Sequence, residues 1–109
     1  MLLLLDESVP RRLRHALPSH DVRTVVEMGW SGIKNGELLG LAAANRFDAF
    51  VTVDKRLPYQ QNLATLPIAV VVLDAISNEL SSLLPLVPAL DQALATLTPR
   101  TCIKVGSEA

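Results

Sequence analysis

Asp6 and Asp54 each close a short apolar run of strand type, residues 2–5 (Leu-Leu-Leu-Leu) and residues 50–53 (Phe-Val-Thr-Val). In an open α/β sheet, ligands bind outside the carboxyl ends of the parallel strands, where the strand order reverses. Carboxylates set there by two strands suit a divalent cation or a phosphoryl group. Turn formation and helix capping account for one acid at a strand end, but not for two that converge. Glu7 follows Asp6 directly, and Glu37 opens a helical stretch after a long loop, 27–34, able to carry it over the same edge. Asp6, Glu37 and Asp54, with Glu7 as a fourth, suit Mg2+ or Mn2+, hard ions that take oxygen ligands and keep several waters. Like charges this close repel, so without a cation one of them would hold its proton tightly. A bound metal removes that conflict and activates water for attack on a phosphodiester.

Basic residues surround the same rim. Arg11 and Arg14 stand at i, i+3 with Arg12 between them, and Lys55 and Arg56 follow Asp54. Together with free N–H groups at helix starts they could hold a nucleic-acid backbone beside the acids. The alternative for the arginines is a solvated helix face with ordinary salt bridges. Gln61 and Asn62 could orient a water or contact a nucleobase, although polar side chains at a surface need no such role. Trp30, flanked by Gly29 and Gly32, would either stack on a base or cover the core. His15 and His20 lack metal-ligand spacing, and with Cys102 as the single cysteine no zinc site is expected. Walker, dinucleotide-glycine and nucleophile-elbow motifs are missing from the sequence.

Positioning these groups requires strands and helices in alternation. Leu2–Leu5 reads as a strand buried on both faces. Ser8 and Pro10 suit the start of a helix through Leu13, Ala16 and Leu17 that Pro18 ends. Residues 21–26 form a second strand, and Asn35 is the expected N-cap of a helix to about Asn45. Residues 48–53 give a third strand, 59–63 a short helix after Pro58, and 68–73 the clearest buried strand. A leucine-rich helix over 80–97, kinked or split by Pro85 and Pro88, precedes a last strand over 101–105. Alternation of this kind predicts a single three-layer α/β domain over 1–109, a mostly parallel sheet with helices on both faces. The flavodoxin-like order 2-1-3-4-5 would place Asp6 and Asp54 side by side.

Totals narrow the classes further. A chain of 109 residues, half of them hydrophobic, supports one aliphatic core. Ten basic and eleven acidic residues leave a net charge of −1, so any nucleic-acid contact must be a local patch. One cysteine fits a reducing, cytoplasmic setting, and no stretch approaches the roughly 20 apolar residues of a membrane span.

The segments Leu5-Asp6-Glu7-Ser8-Val9-Pro10, His20-Asp21-Val22, Asn35-Gly36-Glu37-Leu38-Leu39 and Val51-Thr52-Val53-Asp54, in that order, resemble PIN-like proteins of the DUF5615 type, relatives of VapC-type toxin nucleases. The resemblance covers residues 2–73. It implies a PIN-type fold in which Asp6, Glu37 and Asp54 stand at the metal-binding acids of nucleases that cut RNA with Mg2+ or Mn2+. It further implies the toxin half of a toxin–antitoxin pair and a homodimer, for which the leucine-rich helix offers surplus apolar positions. The chain departs from the pattern at Lys55-Arg56, where such nucleases commonly carry a further acid, and at Asn35, where relatives often have Asp. A response-regulator receiver phosphorylated at Asp54, with Lys104 as its late lysine, is the rival. Against it stand Asp74 where receivers have Ser or Thr, and Val105 where a proline usually follows the lysine. A catalytically silent PIN-like binding module is the third expectation.

Overall fold

Side chains alternate between the faces of a strand, so a strand covered on both sides must be apolar at successive positions. Leu3, Leu4 and Leu5, and every residue from Ala69 to Leu73, are buried accordingly. The computed structural model describes residues 1–106; the remaining residues of the expected domain, 107–109, lie outside them. Strands β1 (Leu2–Leu5), β2 (Asp21–Thr24), β3 (Ala49–Thr52), β4 (Ala69–Asp74) and β5 (Cys102–Gly106) form one sheet in the order β2-β1-β3-β4-β5. All four neighbouring pairs are parallel, so the sheet is wholly rather than mostly so.

Alternation divides the interior into two apolar layers. Leu3, Leu5, Ala49, Val51, Val71 and Leu73 pack beneath the 3-10 helix Arg11–Ala16 and the helices α3 (Leu80–Leu83) and α4 (Val87–Ala95). Leu4, Phe50, Val70 and Val72 face α1 (Asn35–Ala44) and α2 (Leu57–Gln60). Helices therefore cover both faces, giving the three-layer α/β architecture.

Several elements differ from their sequence expectation. The first helix is 3-10 throughout, because Pro10 and Pro18 confine it to six residues, a length at which the tighter helix is common. β2 ends at Thr24 rather than at 26. There the Thr24 amide donates to Glu27 Oε1 at 2.9 Å and the Glu27 amide to Thr24 Oγ1 at 3.1 Å. This reciprocal pair, a capping box, turns the chain out of the sheet. Ser8 does not cap a helix, and Asn35 is not an N-cap: Lys34 holds that position without a side-chain bond. The 80–97 stretch is split as its prolines lead one to expect, the 3-10 segment Leu84–Leu86 lying between α3 and α4, with Pro85 and Pro88 each in a first turn where no N–H is needed. Leu83, Leu86, Leu90 and Leu94 are buried in the domain's own core, and Leu84 is the large hydrophobic of this stretch left exposed. Most of the expected surplus for a dimer is thus absorbed within one chain.

α1 ends in a Schellman motif. The Phe47 amide donates to the Ala42 carbonyl at 3.0 Å and the Arg46 amide to that of Ala43 at 3.1 Å. This closure puts Arg46 at φ 66°, a left-handed conformation that glycine adopts freely. Arg46→Gly is expected to stabilise the protein by about 0.5–1 kcal/mol, raising Tm by about 3–6 °C in a thermal melt.

Candidate functional site

The register of β1 on β3 sets Leu5 against Val51, so the next residues, Asp6 and Thr52, leave the sheet as neighbours on the α1 side. Thr52 is 0% exposed. Its hydroxyl donates to Asp6 Oδ2 at 2.8 Å and accepts the Asp54 amide at 3.0 Å. One buried hydroxyl therefore ties the Asp6 carboxylate to the backbone of Asp54. Ser8 Oγ donates to the same Asp6 oxygen at 2.9 Å, and the Glu7 amide to Asp6 Oδ1 at 2.9 Å. Each carboxylate oxygen offers two lone pairs, which leaves Asp6 Oδ1 able to accept one more contact.

Asp54 Oδ1 accepts from the Arg56 amide at 2.9 Å and from Arg56 Nε at 3.3 Å, while Oδ2 has no hydrogen-bond partner among the described residues. Lys55 turns the other way, its Nζ lying 2.8 Å from Oδ1 of Asp74, the last residue of β4. The lysine holds the Asp74 carboxyl below its usual range, chiefly through that hydrogen bond, against a smaller desolvation that raises it; the charges of Lys55 and Lys104 add further lowering. Both basic residues that interrupt the acidic pattern in sequence are thus paired with acids at this edge.

The other acids are placed differently. Glu7 Oε1 accepts the Gly32 amide at 3.0 Å and so anchors the 29–32 loop, whose glycines sit at φ 76° and 81°. Trp30 from that loop packs edge-on against Phe47, ring centroids 6.0 Å apart, and covers the core rather than offering a stacking face. Glu37 is exposed in the first turn of α1. That turn approaches the segment following β3: a Cβ on Gly36 would lie 3.6 Å from Gln61 Oε1. Among the described residues no three His, Cys, Asp or Glu side chains converge on a point where they could hold one ion. The structure thus joins Asp6 to Asp54, commits Glu7 to a loop amide, and leaves Glu37 on the neighbouring helix.

Of the basic and amide residues, Arg14 pairs with Glu27 through its guanidinium, and Arg11 and Arg12 make no ion pair with the described residues. Asn62 caps the 3-10 helix Leu63–Thr65 by accepting the Ala64 amide at 3.0 Å. His20 Nε2 meets Asp91 Oδ1 at 3.2 Å, and partial burial pushes the Cys102 thiol up, leaving it neutral. Four residues escape the sequence reading: Asp74, Thr24, Glu27 and Thr52. Asp74 was read as lying outside its strand, and the Thr24-x-x-Glu27 capping-box spacing, legible in the chain, went unused. The Thr52 hydroxyl carries no signature of its own, since a strand threonine usually reads as β-propensity alone.

Arg14 and the Thr24 amide hold the Glu27 carboxyl down to about 2. A carboxyl depressed in the folded state stabilises the fold above its unfolded value of about 4.3 and loses that contribution as the pH falls through the folded value. Urea midpoints are expected to fall below about pH 4, and Glu27→Gln to flatten that fall. Thr52→Val keeps the shape but leaves the Asp54 amide and Asp6 Oδ2 each one partner short, for an expected loss of about 1–3 kcal/mol in urea unfolding at pH 7.

Comparison with family models, curated proteins and solved structures returns no match for this chain.

Proposed function

We propose that this chain is a PIN-like, metal-dependent ribonuclease that hydrolyses RNA phosphodiesters at the carboxyl edge of its sheet, with Mg2+ or Mn2+ as cofactor. The observation that carries this reading is the Thr52 bridge, which fixes the carboxylate of Asp6 beside the backbone of Asp54. A buried hydroxyl that holds one carboxylate and the backbone carrying the other fits a site that must orient the first against the second.

The donor set suits such an ion. It consists of oxygens only, and two carboxylates suffice, because Mg2+ is commonly held by one or two together with water and substrate phosphate. A bound cation would lower the pKa of a coordinated water and stabilise charge on the scissile phosphate. Asp6 Oδ1 and Asp54 Oδ2 retain acceptor capacity for it, and Glu37 could join from α1. Thr52 and Ser8 keep the Asp6 carboxylate in one orientation. Arg56 and Lys55 offset the repulsion among Asp6, Asp54 and Asp74; both pairs are solvent-exposed, so they exchange readily for contacts to a phosphate.

The phosphorylated-receiver reading has less support. Asp54 lies two residues beyond the last residue of β3, and one of its oxygens is already engaged twice by Arg56. In a toxin role an antitoxin would be the protein partner, with a second copy of the chain in a homodimer. The exposed Tyr59 and Ile76, near the carboxyl ends of β3 and β4, are apolar groups such a partner would cover.

Asp6→Asn and Asp54→Asn are each expected to abolish Mn2+-dependent cleavage of a single-stranded RNA while circular dichroism still reports a folded domain, Asp54→Asn with Tm near wild type and Asp6→Asn at a cost of about 1–3 kcal/mol, because its amide nitrogen cannot accept the bonds the carboxylate does. Thr52→Val, which leaves both carboxylates in place, is expected to reduce cleavage by about 10–100-fold. Wild-type protein that neither cleaves RNA nor takes up Mn2+ in a calorimetric titration would leave the catalytically silent module in place of the enzyme.

A further inference from the structure

Two depressions adjoin on the β1–β2 side of the acidic edge, and their walls are of opposite character. The first, about 360 Å3, is apolar at Val9, Pro10 and Val26 and also lined by Thr24, Arg11 and the acids Asp6, Glu7 and Glu27. Its volume falls within the roughly 300–1,000 Å3 of small-ligand sites. Val26 is 63% exposed, a large hydrophobic group presented to solvent at the wall of a hollow. The second, about 280 Å3, is lined by Arg11, Arg12, Arg14, His15 and Glu27. Arg11 and Glu27 belong to both, so the two form one continuous groove.

We propose that this groove seats one nucleotide of single-stranded RNA, its base against Val9, Pro10 and Val26 and its neighbouring phosphate among the arginines. The substrate class follows the ribonuclease reading above; the groove itself is a binding element that works without a cation.

Charge supports the assignment of the phosphate. In the second hollow three arginines against one glutamate leave a local charge of +2, whereas Asp6, Glu7 and Glu27 against Arg11 make the first net negative, which assigns the phosphate to the arginine half. Arg14 is engaged by Glu27, and Glu27 is in turn held by the Thr24 amide, so this wall is fixed before any ligand arrives. Arg11 and Arg12 have no such partner among the described residues and present forked donors to a phosphate. The apolar half supports the assignment of the base. A stacked duplex cannot deliver a base face into a hollow, whereas a single strand can splay one out. With Asp6 on the wall of the same hollow, a strand in the groove runs beside one of the two acids of the proposed cleavage centre.

The test is fluorescence anisotropy with a labelled single-stranded RNA of about ten nucleotides, within the roughly 4–16 typical of single-strand sites, in EDTA so that neither metal nor cleavage enters. The Arg11→Ala/Arg12→Ala double variant should bind about tenfold or more weakly, with the slope of log K against log salt reduced by about 1.4 for two lost phosphate contacts. An otherwise identical RNA carrying abasic sites should bind wild-type protein about fivefold or more weakly, and Val26→Asp should abolish that difference. Unchanged affinity and slope in the double variant, or equal binding of abasic and base-bearing strands to wild type, overturns the proposal. The abasic comparison needs no variant to fold. Cleavage can fail while the groove binds, which sinks the enzyme reading alone; cleavage with no groove effect sinks the groove alone.

Discussion

Everything at the candidate site depends on the register of β1 against β3. Pairing Leu3 with Ala49 and Leu5 with Val51 fills two apolar layers at once, because alternate residues of both strands feed opposite faces. A slip of one residue would exchange the layers and move every side chain to the wrong face, so this register is strongly specified. Its consequence one step further along is chemical. Where the apolar runs stop, Asp6 and the buried Thr52 must emerge together, and the hydroxyl has nowhere to donate except to the carboxylate beside it.

Electrostatics at the carboxyl edge is organised as short local pairs. Asp6 has Thr52 and Ser8, Asp54 has Arg56, Asp74 has Lys55, Glu7 has the Gly32 amide, and Glu27 has Arg14 with the Thr24 amide. Five acids at one end of a small sheet would otherwise repel one another. The pairs differ in kind, however. The Asp6–Thr52 contact is enclosed and sets geometry, whereas the Lys55 and Arg56 pairs stand in solvent and contribute little to stability. A surface built this way keeps its acids oriented and leaves its bases available for an anionic ligand.

The fold was largely legible because its signals are collective. The four-residue Leu2–Leu5 run and the apolar stretch ending at Leu73 can be satisfied only by burial on both faces, and right-handed crossovers leave few orders for five such strands. Element ends were less legible. Thr24 closes β2 through a contact with Glu27, and β4 runs one residue further than its apolar stretch, to Asp74. Both depend on single hydrogen bonds or pairings that periodicity does not register. The long leucine pattern of 80–97 was read correctly as interrupted, because a proline removes a donor wherever it stands.

By itself the sequence determined which acids stand at strand ends and that a parallel sheet would gather strand ends along one edge. That much is local chemistry combined with a topological rule. Only the tertiary structure decided how those acids divide: Asp6 and Asp54 joined through Thr52, Asp74 drawn to the same edge by Lys55, Glu7 given to a loop, and Glu37 left on α1. It also decided that Arg11 belongs at once to an apolar hollow and a cationic one. The physical reason is that hydrogen-bond partners and cavity walls are set by distances of about 3 Å between residues far apart in the chain. No pattern of residue types within one segment encodes those distances.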